Sequence, residues 1–290
     1  MQNNCGEILI VHLGGLGDIC LAESIFLSLH RHFGNCLAGL GNRRFVDLFS
    51  MYFTKTYGIE SRHWLYLFSE KLTGPDWRRI VFIGKDRQGN IRKRWASYSR
   101  EELIFIDMYP EGSFPDPEKT TTALPHKNVH IEEYQLHQLR SFGIEPVKAE
   151  VIPKKPGPVI LYPERGFTKG KWAPENFITL RDLLKGNKIS VVLLKPADLD
   201  LPGEGIIINE LAEVKEFFAR GGIFVSNDSG MAHLAGACGL QTITVFTDFD
   251  PAVWHPRGRN IPLKLNSDIV SIEAVGNMVQ DLLTRQADQP

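Results

Sequence analysis

Three short segments carry residues whose types and spacing can do chemistry. In Leu13-Gly14-Gly15-Leu16-Gly17-Asp18, the glycines let backbone approach a ligand closely, and Asp18 opens an apolar stretch. An aspartate there either caps a helix or points into a cleft as a general base. In Asn227-Asp228-Ser229-Gly230-Met231-Ala232-His233, small polar residues open the apolar run Leu234 to Cys238. The backbone N–H groups of Ser229 and Gly230 then stand at a helix N-terminus, where a phosphate or diphosphate is well held. His233, one turn in, either reaches the same ligand or sits in the core. Thr168-Lys169-Gly170-Lys171-Trp172-Ala173-Pro174 sets two lysines ahead of a proline suited to a helix start. Lys169 and Lys171 either neutralise phosphate or form a solvated basic loop.

A fourth feature is charge. Between Trp77 and Arg100 stand eight basic residues, Arg92 and Arg94 among them, with Asp86 the only acid. That block carries +7 and the remainder of the chain −8, and Trp77, Trp95 and Tyr98 are interleaved with it. Such a segment suits an anionic membrane surface or a phosphorylated acceptor, or is a solvated loop face. The whole chain of 290 residues is near neutral, with 33 Lys plus Arg against 34 Asp plus Glu, which argues against nucleic acid as a partner. At 43% hydrophobic and 23% charged residues it has the balance of a globular protein rather than a disordered one. Cys5, Cys20, Cys36 and Cys238 form no CxxC pair, so neither a metal cluster nor a disulfide framework is expected. Met1 to Glu7 lacks a basic region, and Ile8 to Leu13 is too short for a signal or a membrane span. The expected location is cytoplasmic. A nicotinamide cofactor is disfavoured: the third fingerprint glycine is replaced by Cys20, and no acidic residue follows near Cys36 to Leu40.

The elements that must position these residues read as α/β. Ile8 to Val11 predicts a buried strand, and Ile19 to Phe33 one helix. Trp64–Phe68, Ile80–Gly84 and Leu103–Ile106 read as short strands, and His130 to Phe142 as a helix stopped by Gly143. Three prolines and a glycine in Pro153 to Pro158 make the best linker. Beyond it, Val159–Tyr162, Ile189–Leu194, Gly205–Ile208, Ile223–Ser226 and Thr242–Phe246 are strand candidates. A helix from Pro174 lies between them, and a last helix, Ile269 to Leu283, follows Ser267 or Asp268 as its cap. Two domains are expected, 1–154 and 155–290.

These separated motifs together resemble glycosyltransferase family 9, the ADP-heptose:lipopolysaccharide heptosyltransferases. Ile8 to Leu29 is similar to that family's opening strand, glycine turn and helix. Lys171 to Phe177 resembles its basic-Trp-Pro segment, with the proline one place later. Asn227 to Ala235 with Thr247 to Trp254 resembles its paired carboxyl-terminal motifs. The resemblance implies a GT-B fold, two Rossmann-like domains facing each other across a cleft, with the terminal helix 268–286 packing back on the first. It implies an acceptor on the amino-terminal domain and a nucleotide-diphosphate sugar on the other. Asp18 takes the general-base position, with Gly14, Gly15 and Gly17 as the turn beside the acceptor. Asp228, Ser229, Gly230 and His233 take the donor positions, joined by Lys169 or Lys171. Arg92 and Arg94 suit an anionic glycolipid acceptor, with peripheral contact at the inner membrane. No metal ligand set and no cofactor beyond the sugar donor are implied, Mg²⁺ being an optional counter-ion. Two departures stand out: Glu164 follows the strand at the linker, and Gly170 occupies the usual lysine position. They leave open a protein that binds nucleotide, glycan or a partner without catalysis, and a sugar-nucleotide epimerase is a third reading.

Overall fold

The computed structural model describes residues 7–110, 129–164, 172–265 and 270–287. The chain forms two compact units, the first reaching Ala149 and the second beginning at Glu150.

In the first unit, β1 (Ile8–His12) is buried along its whole length, as a strand covered on both faces must be. The glycine turn leads to α1 (Leu16–Leu21) and α2 (Glu23–Phe33). The single expected helix is therefore two. They meet at Ala22, whose ψ of 0° turns the chain while its N–H is shared between the carbonyls of Asp18 and Ile19. β2 (Leu37–Gly41), α3 (Arg43–Val46), β3 (Lys55–Gly58), β4 (Arg79–Gly84), α4 (Asn90–Trp95), β5 (Ile104–Asp107) and α5 (Ile131–Leu139) follow. All five strands are parallel, in the order β3-β2-β1-β4-β5. Trp64 to Phe68 is not a strand. Arg62–Leu67 is a 3₁₀ helix that buries Trp64, Tyr66 and Leu67 and leaves Leu65 and Phe68 exposed. Gly143, with φ of 69°, ends the helical stretch after α5, the left-handed conformation that glycine adopts without strain.

The division falls earlier than the proline-rich segment. Val147 N–H donates to Ser28 Oγ and Ala149 N–H to Ser24 Oγ, pinning the end of the first unit to α2. Lys154 N–H donates to Gly239 O and Gly222 N–H to Lys155 O, so the prolines belong to the second unit. That unit contains β6 (Val159–Tyr162), α6 (Pro174–Gly186), β7 (Val191–Leu193), α7 (Leu211–Phe218) and β8 (Ile223–Asn227). α8 (Gly230–Ala237), β9 (Gln241–Phe246), α9 (Pro251–Trp254), β10 (Asn260–Lys264) and α10 (Ile272–Ala287) complete it. Its parallel sheet has the order β10-β9-β8-β6-β7. Gly205 to Ile208 makes only an isolated bridge, Leu194 with Ile206. α10 packs on α6, with Val275 and Val279 fully buried in the carboxyl-terminal core beside Leu180 and Leu184. The expected terminal helix thus buries its apolar stripe within its own domain. Ser271 Oγ, which accepts the Ala274 N–H at 3.0 Å, caps it; Ser267 and Asp268 lie outside the described residues.

Cys20 and Cys238 are in no disulfide, whereas Cys36 is disulfide-bonded, although the cysteine spacing gave no expectation of a disulfide framework. Among the described residues, no helix is long and apolar enough to cross a membrane.

Candidate functional site

Each sheet reverses its strand order at one place, between the carboxyl ends of β1 and β4 in the first domain and of β6 and β8 in the second. In doubly wound sheets, ligands bind at these crevices. The glycine turn with Asp18 follows β1, and Asn227 to Gly230 ends β8 and opens α8. Both motifs thus stand at a switch point.

Asp18 lies in the first turn of α1, and its Oδ2 accepts the Gly15 N–H at 2.8 Å. The capping role is therefore real, and it fixes the carboxylate. Burial raises the Asp18 carboxyl above its ordinary value, opposed in part by the Gly15 hydrogen bond. Gly14 permits this placement. A Cβ there would lie 2.7 Å from both Cβ and Oδ2 of Asp18 and 2.9 Å from the Met108 methyl. Gly17 lies inside α1.

Lys85 of the basic block shares this edge with Asp107 and Tyr109, which belong to none of the motifs. Lys85, just past β4, holds its Nζ 2.8 Å from Asp107 Oδ1 and donates to the Tyr109 carbonyl. Its ammonium also lies 5.1 Å from the centre of the Tyr109 ring. The Tyr109 hydroxyl is pushed up to about 12 by burial, with the Asp18 and Asp107 charges adding to the effect and Arg87 opposing it. It is a proton donor at any working pH. Tyr134 donates to Asp107 Oδ2 and Gln135 to the Met108 carbonyl, so α5 fixes the end of β5. The signal available in sequence was position: Lys85 follows a strand-ending glycine, and Asp107 ends an apolar run.

His12 ends β1 at 2% exposure, and neither ring nitrogen has a hydrogen-bond partner among the described residues. Burial lowers it to about 4, with the nearby His12 and Asp18 backbone opposing. The imidazole is neutral when folded, whereas in the unfolded chain it protonates below about 6.5. Its contribution to stability is therefore complete above that value and is lost as pH falls toward 4. The span corresponds to roughly 3 kcal/mol. His12→Leu is expected to flatten the fall of urea-unfolding stability over that window by about this amount.

Three residues of the basic block pair with acids that lie just beyond it in sequence. Glu101 pairs with Arg78 and Arg79, and Asp107 with Lys85. Arg94 is not available to an acceptor, because its guanidinium donates to the carbonyls of Tyr66, Leu67 and Ser69. Arg92 stays half-exposed, 3.9 Å over the Phe105 ring and 3.8 Å from Asp86. A cavity of about 350 Å³ lined by Glu7, Tyr57, Trp64, Trp77 and Arg78 lies at the opposite, amino-terminal edge of β1 and β4.

In the second domain, Ser229 caps α8, its Oγ accepting the Ala232 N–H. Asp228 N–H donates to Val245 O, continuing the ladder past β8. His233 is buried, with Nε2 3.8 Å from Asp228 Oδ1, so the helix start brings together the four predicted residues Asp228, Ser229, Gly230 and His233. Asn227, fully buried, accepts the Trp172 N–H at 3.0 Å and donates to the Trp172 carbonyl at 3.1 Å. The motif's asparagine thus anchors the segment that follows the lysine loop. Lys169, Gly170 and Lys171 lie outside the described residues. Glu164 Oε2 is buried without a hydrogen-bond partner among the described residues, and Tyr162 is pushed up by burial and by the charges of Glu164 and Asp198. No group of three or more His, Cys, Asp or Glu suited to a metal ion occurs among the described residues.

Residues 209–275 match the family model of glycosyltransferase family 9 (heptosyltransferase). No curated protein sequence matches the chain. Among solved structures, the family 9 glycosyl transferase from Veillonella parvula aligns over 99% of this chain and 98% of its own, at 14% identity and TM-score 0.65. E. coli heptosyltransferase WaaC with ADP aligns over 95% and 99%, at 16% identity and TM-score 0.67. E. coli ADP-heptose lps heptosyltransferase II aligns over 97% and 99%, at 13% identity and TM-score 0.59. Its two parallel-sheet domains and these structural likenesses give the chain the GT-B fold, and its similarity in sequence to glycosyltransferase family 9 (heptosyltransferase) lies in residues 209–275.

Proposed function

We propose that the protein is an inverting glycosyltransferase that moves a sugar, heptose from ADP-heptose, onto a lipopolysaccharide core or another surface-glycan acceptor. The observation that carries this is Asp18: a half-buried carboxylate at a sheet switch point, aligned by Gly15 and raised by burial. In the reaction, Asp18 takes the proton of an acceptor hydroxyl as that oxygen attacks the anomeric carbon. The bond from that carbon to the donor's diphosphate breaks, and the nucleoside diphosphate leaves with the electron pair. The N–H groups at the start of α8, with Lys169 or Lys171, stabilise the departing negative charge. Donor binding to ADP or an ADP-sugar is supported by the WaaC structure, a complex with ADP.

A thermal-shift series with ADP, UDP, GDP, CDP and ADP-heptose tests the donor half. ADP and ADP-heptose are expected to stabilise the protein, by about 2.7 kcal/mol at a hundredfold excess over Kd. Gly230→Pro is the matched variant. Position N1 of a helix accepts proline, and the extended Ser229 before it is compatible, yet the N–H facing the diphosphate is gone. Stabilisation that persists in Gly230→Pro would remove the assigned diphosphate site. A second reading is favoured by one observation, the Glu164 carboxyl just past β6, whose Oε2 is buried without a hydrogen-bond partner among the described residues. It is binding without catalysis, and a chain stabilised by none of these nucleotides would move the assignment there.

A further inference from the structure

We propose that the 3₁₀ helix Arg62–Leu67 and the turn after it form, with α4, a membrane-docking face that seats on an anionic lipid surface. Leu65, Phe68 and Leu72 are 49%, 48% and 43% exposed. They stand on the 3₁₀ helix, at its C-cap and in the turn after it, three large apolar side chains left in solvent within eight residues. Nothing in the folding of the domain requires them outside, since the same segment already buries Trp64, Tyr66 and Leu67 in the core.

The segment is held rigidly against α4 and the turn beyond it. Arg94 donates to the carbonyls of Tyr66, Leu67 and Ser69, the Phe68 ring meets Trp95 edge-on at 5.7 Å, and Tyr98 donates to the Leu72 carbonyl at 3.1 Å. This fixes the apolar side chains beside α4, whose Arg92 and Lys93 are exposed, while Lys71 is exposed on the segment itself. Apart from Arg94, which the three carbonyls take up, residues 62–72 and α4 hold four basic residues, Arg62, Lys71, Arg92 and Lys93, against one acid, Glu70. Projecting aliphatic and aromatic groups beside cations match a bilayer interface: the apolar tips enter the acyl boundary while lysine and arginine meet lipid phosphates. A second copy of the chain fits less well, because a twofold contact through this face would set cation against cation. A peptide partner would need a groove, and these side chains project instead of lining one. Within the domain, the face lies over Leu9, Val11 and Phe82, on the side of the sheet opposite α2, whose Phe26 packs at 6.2 Å from His12. The surface acts independently of sugar transfer.

The test is co-sedimentation of the full chain with phosphatidylcholine vesicles, with and without phosphatidylglycerol. Sedimentation is expected with phosphatidylglycerol vesicles only and is expected to weaken with added salt. Leu65→Ser, Phe68→Ser and Leu72→Ser combined are expected to lower the partition coefficient roughly tenfold or more. Lys71→Glu with Lys93→Glu is expected to abolish the dependence on phosphatidylglycerol. All five positions are exposed, and unchanged melting curves confirm folding of the variants. Absence of wild-type vesicle binding overturns the proposal, as does binding unaffected by the triple variant. Concentration-dependent dimerisation lost in the triple variant, without vesicle binding, also overturns it and gives the face to a second copy.

Discussion

Asp18→Asn is expected to lower turnover of ADP-heptose with a glycan acceptor about 100- to 10,000-fold while leaving ADP binding unchanged. Asparagine is nearly isosteric, and its amide oxygen still accepts the Gly15 N–H that Asp18 Oδ2 accepts at 2.8 Å. Only the proton acceptor is lost. Asp18→Ala also removes that cap, costing about 1 kcal/mol of helix stability, so the two variants separate chemistry from folding. The pH dependence has a definite sign. Burial raises the Asp18 carboxyl, so the acid limb of the rate profile lies above the ordinary carboxylate range. The same shift acts on stability in the opposite sense to a salt-bridged carboxylate. The folded state holds the proton more tightly than the unfolded one, so stability falls as pH rises from the ordinary value through the raised one. Asp18→Asn is therefore expected to melt higher than wild type at neutral pH, a gain in stability made at the expense of function. Full turnover in Asp18→Asn, measured as acceptor-dependent release of ADP, would exclude Asp18 as the base.

Asn227→Ala is expected to be the most damaging single change in the second domain. Asn227 is fully buried and makes two hydrogen bonds to one backbone residue, the Trp172 N–H and carbonyl. Removing it strands both groups in the interior at about 1–3 kcal/mol each, an effect of about 4 kcal/mol and roughly 10 °C in Tm. Asn227→Asp separates the halves, since a carboxylate accepts from the N–H and cannot donate to the carbonyl. The consequence for binding follows from the chain path. Trp172 is buried against Phe177 at 4.8 Å and tied through its indole N–H to the Val270 carbonyl, and Lys169 and Lys171 directly precede it in sequence. Loosening that anchor raises the entropy the lysines must lose on meeting a diphosphate. Nucleotide stabilisation in the thermal-shift series is thus expected to drop in Asn227→Asp even below its own melting transition. Unchanged nucleotide affinity there would confine Asn227 to a structural role.

Much of the architecture was readable from local pattern. Val159–Tyr162 forms the strand expected of it, and Pro174 begins α6. β3 and β10 were not foreseen. Lys55–Gly58 and Asn260–Lys264 are half-exposed edge strands without a continuous apolar run, and their pairing comes from the neighbouring strand. Trp64–Phe68 misled for a related reason. Three buried aromatic and aliphatic side chains in five residues read as a strand, yet a 3₁₀ turn buries the same three and turns Leu65 and Phe68 outward.

By itself the sequence determined the two parallel-sheet domains and the placement of Asp18 and Ser229 at strand ends. Those follow from signals a few residues long: a β-branched run, a glycine turn, a Ser cap, a proline at N1. Which charges and polar groups remain for a ligand depends on long-range contacts. Of the eight basic residues counted along the chain, Arg78, Arg79 and Lys85 pair with Glu101 and Asp107, and Arg94 is taken up by three carbonyls of another segment. The terminal helix likewise chose α6 as its partner. Pairing and burial depend on which strands lie side by side, a property of contacts far apart in sequence that no short window contains.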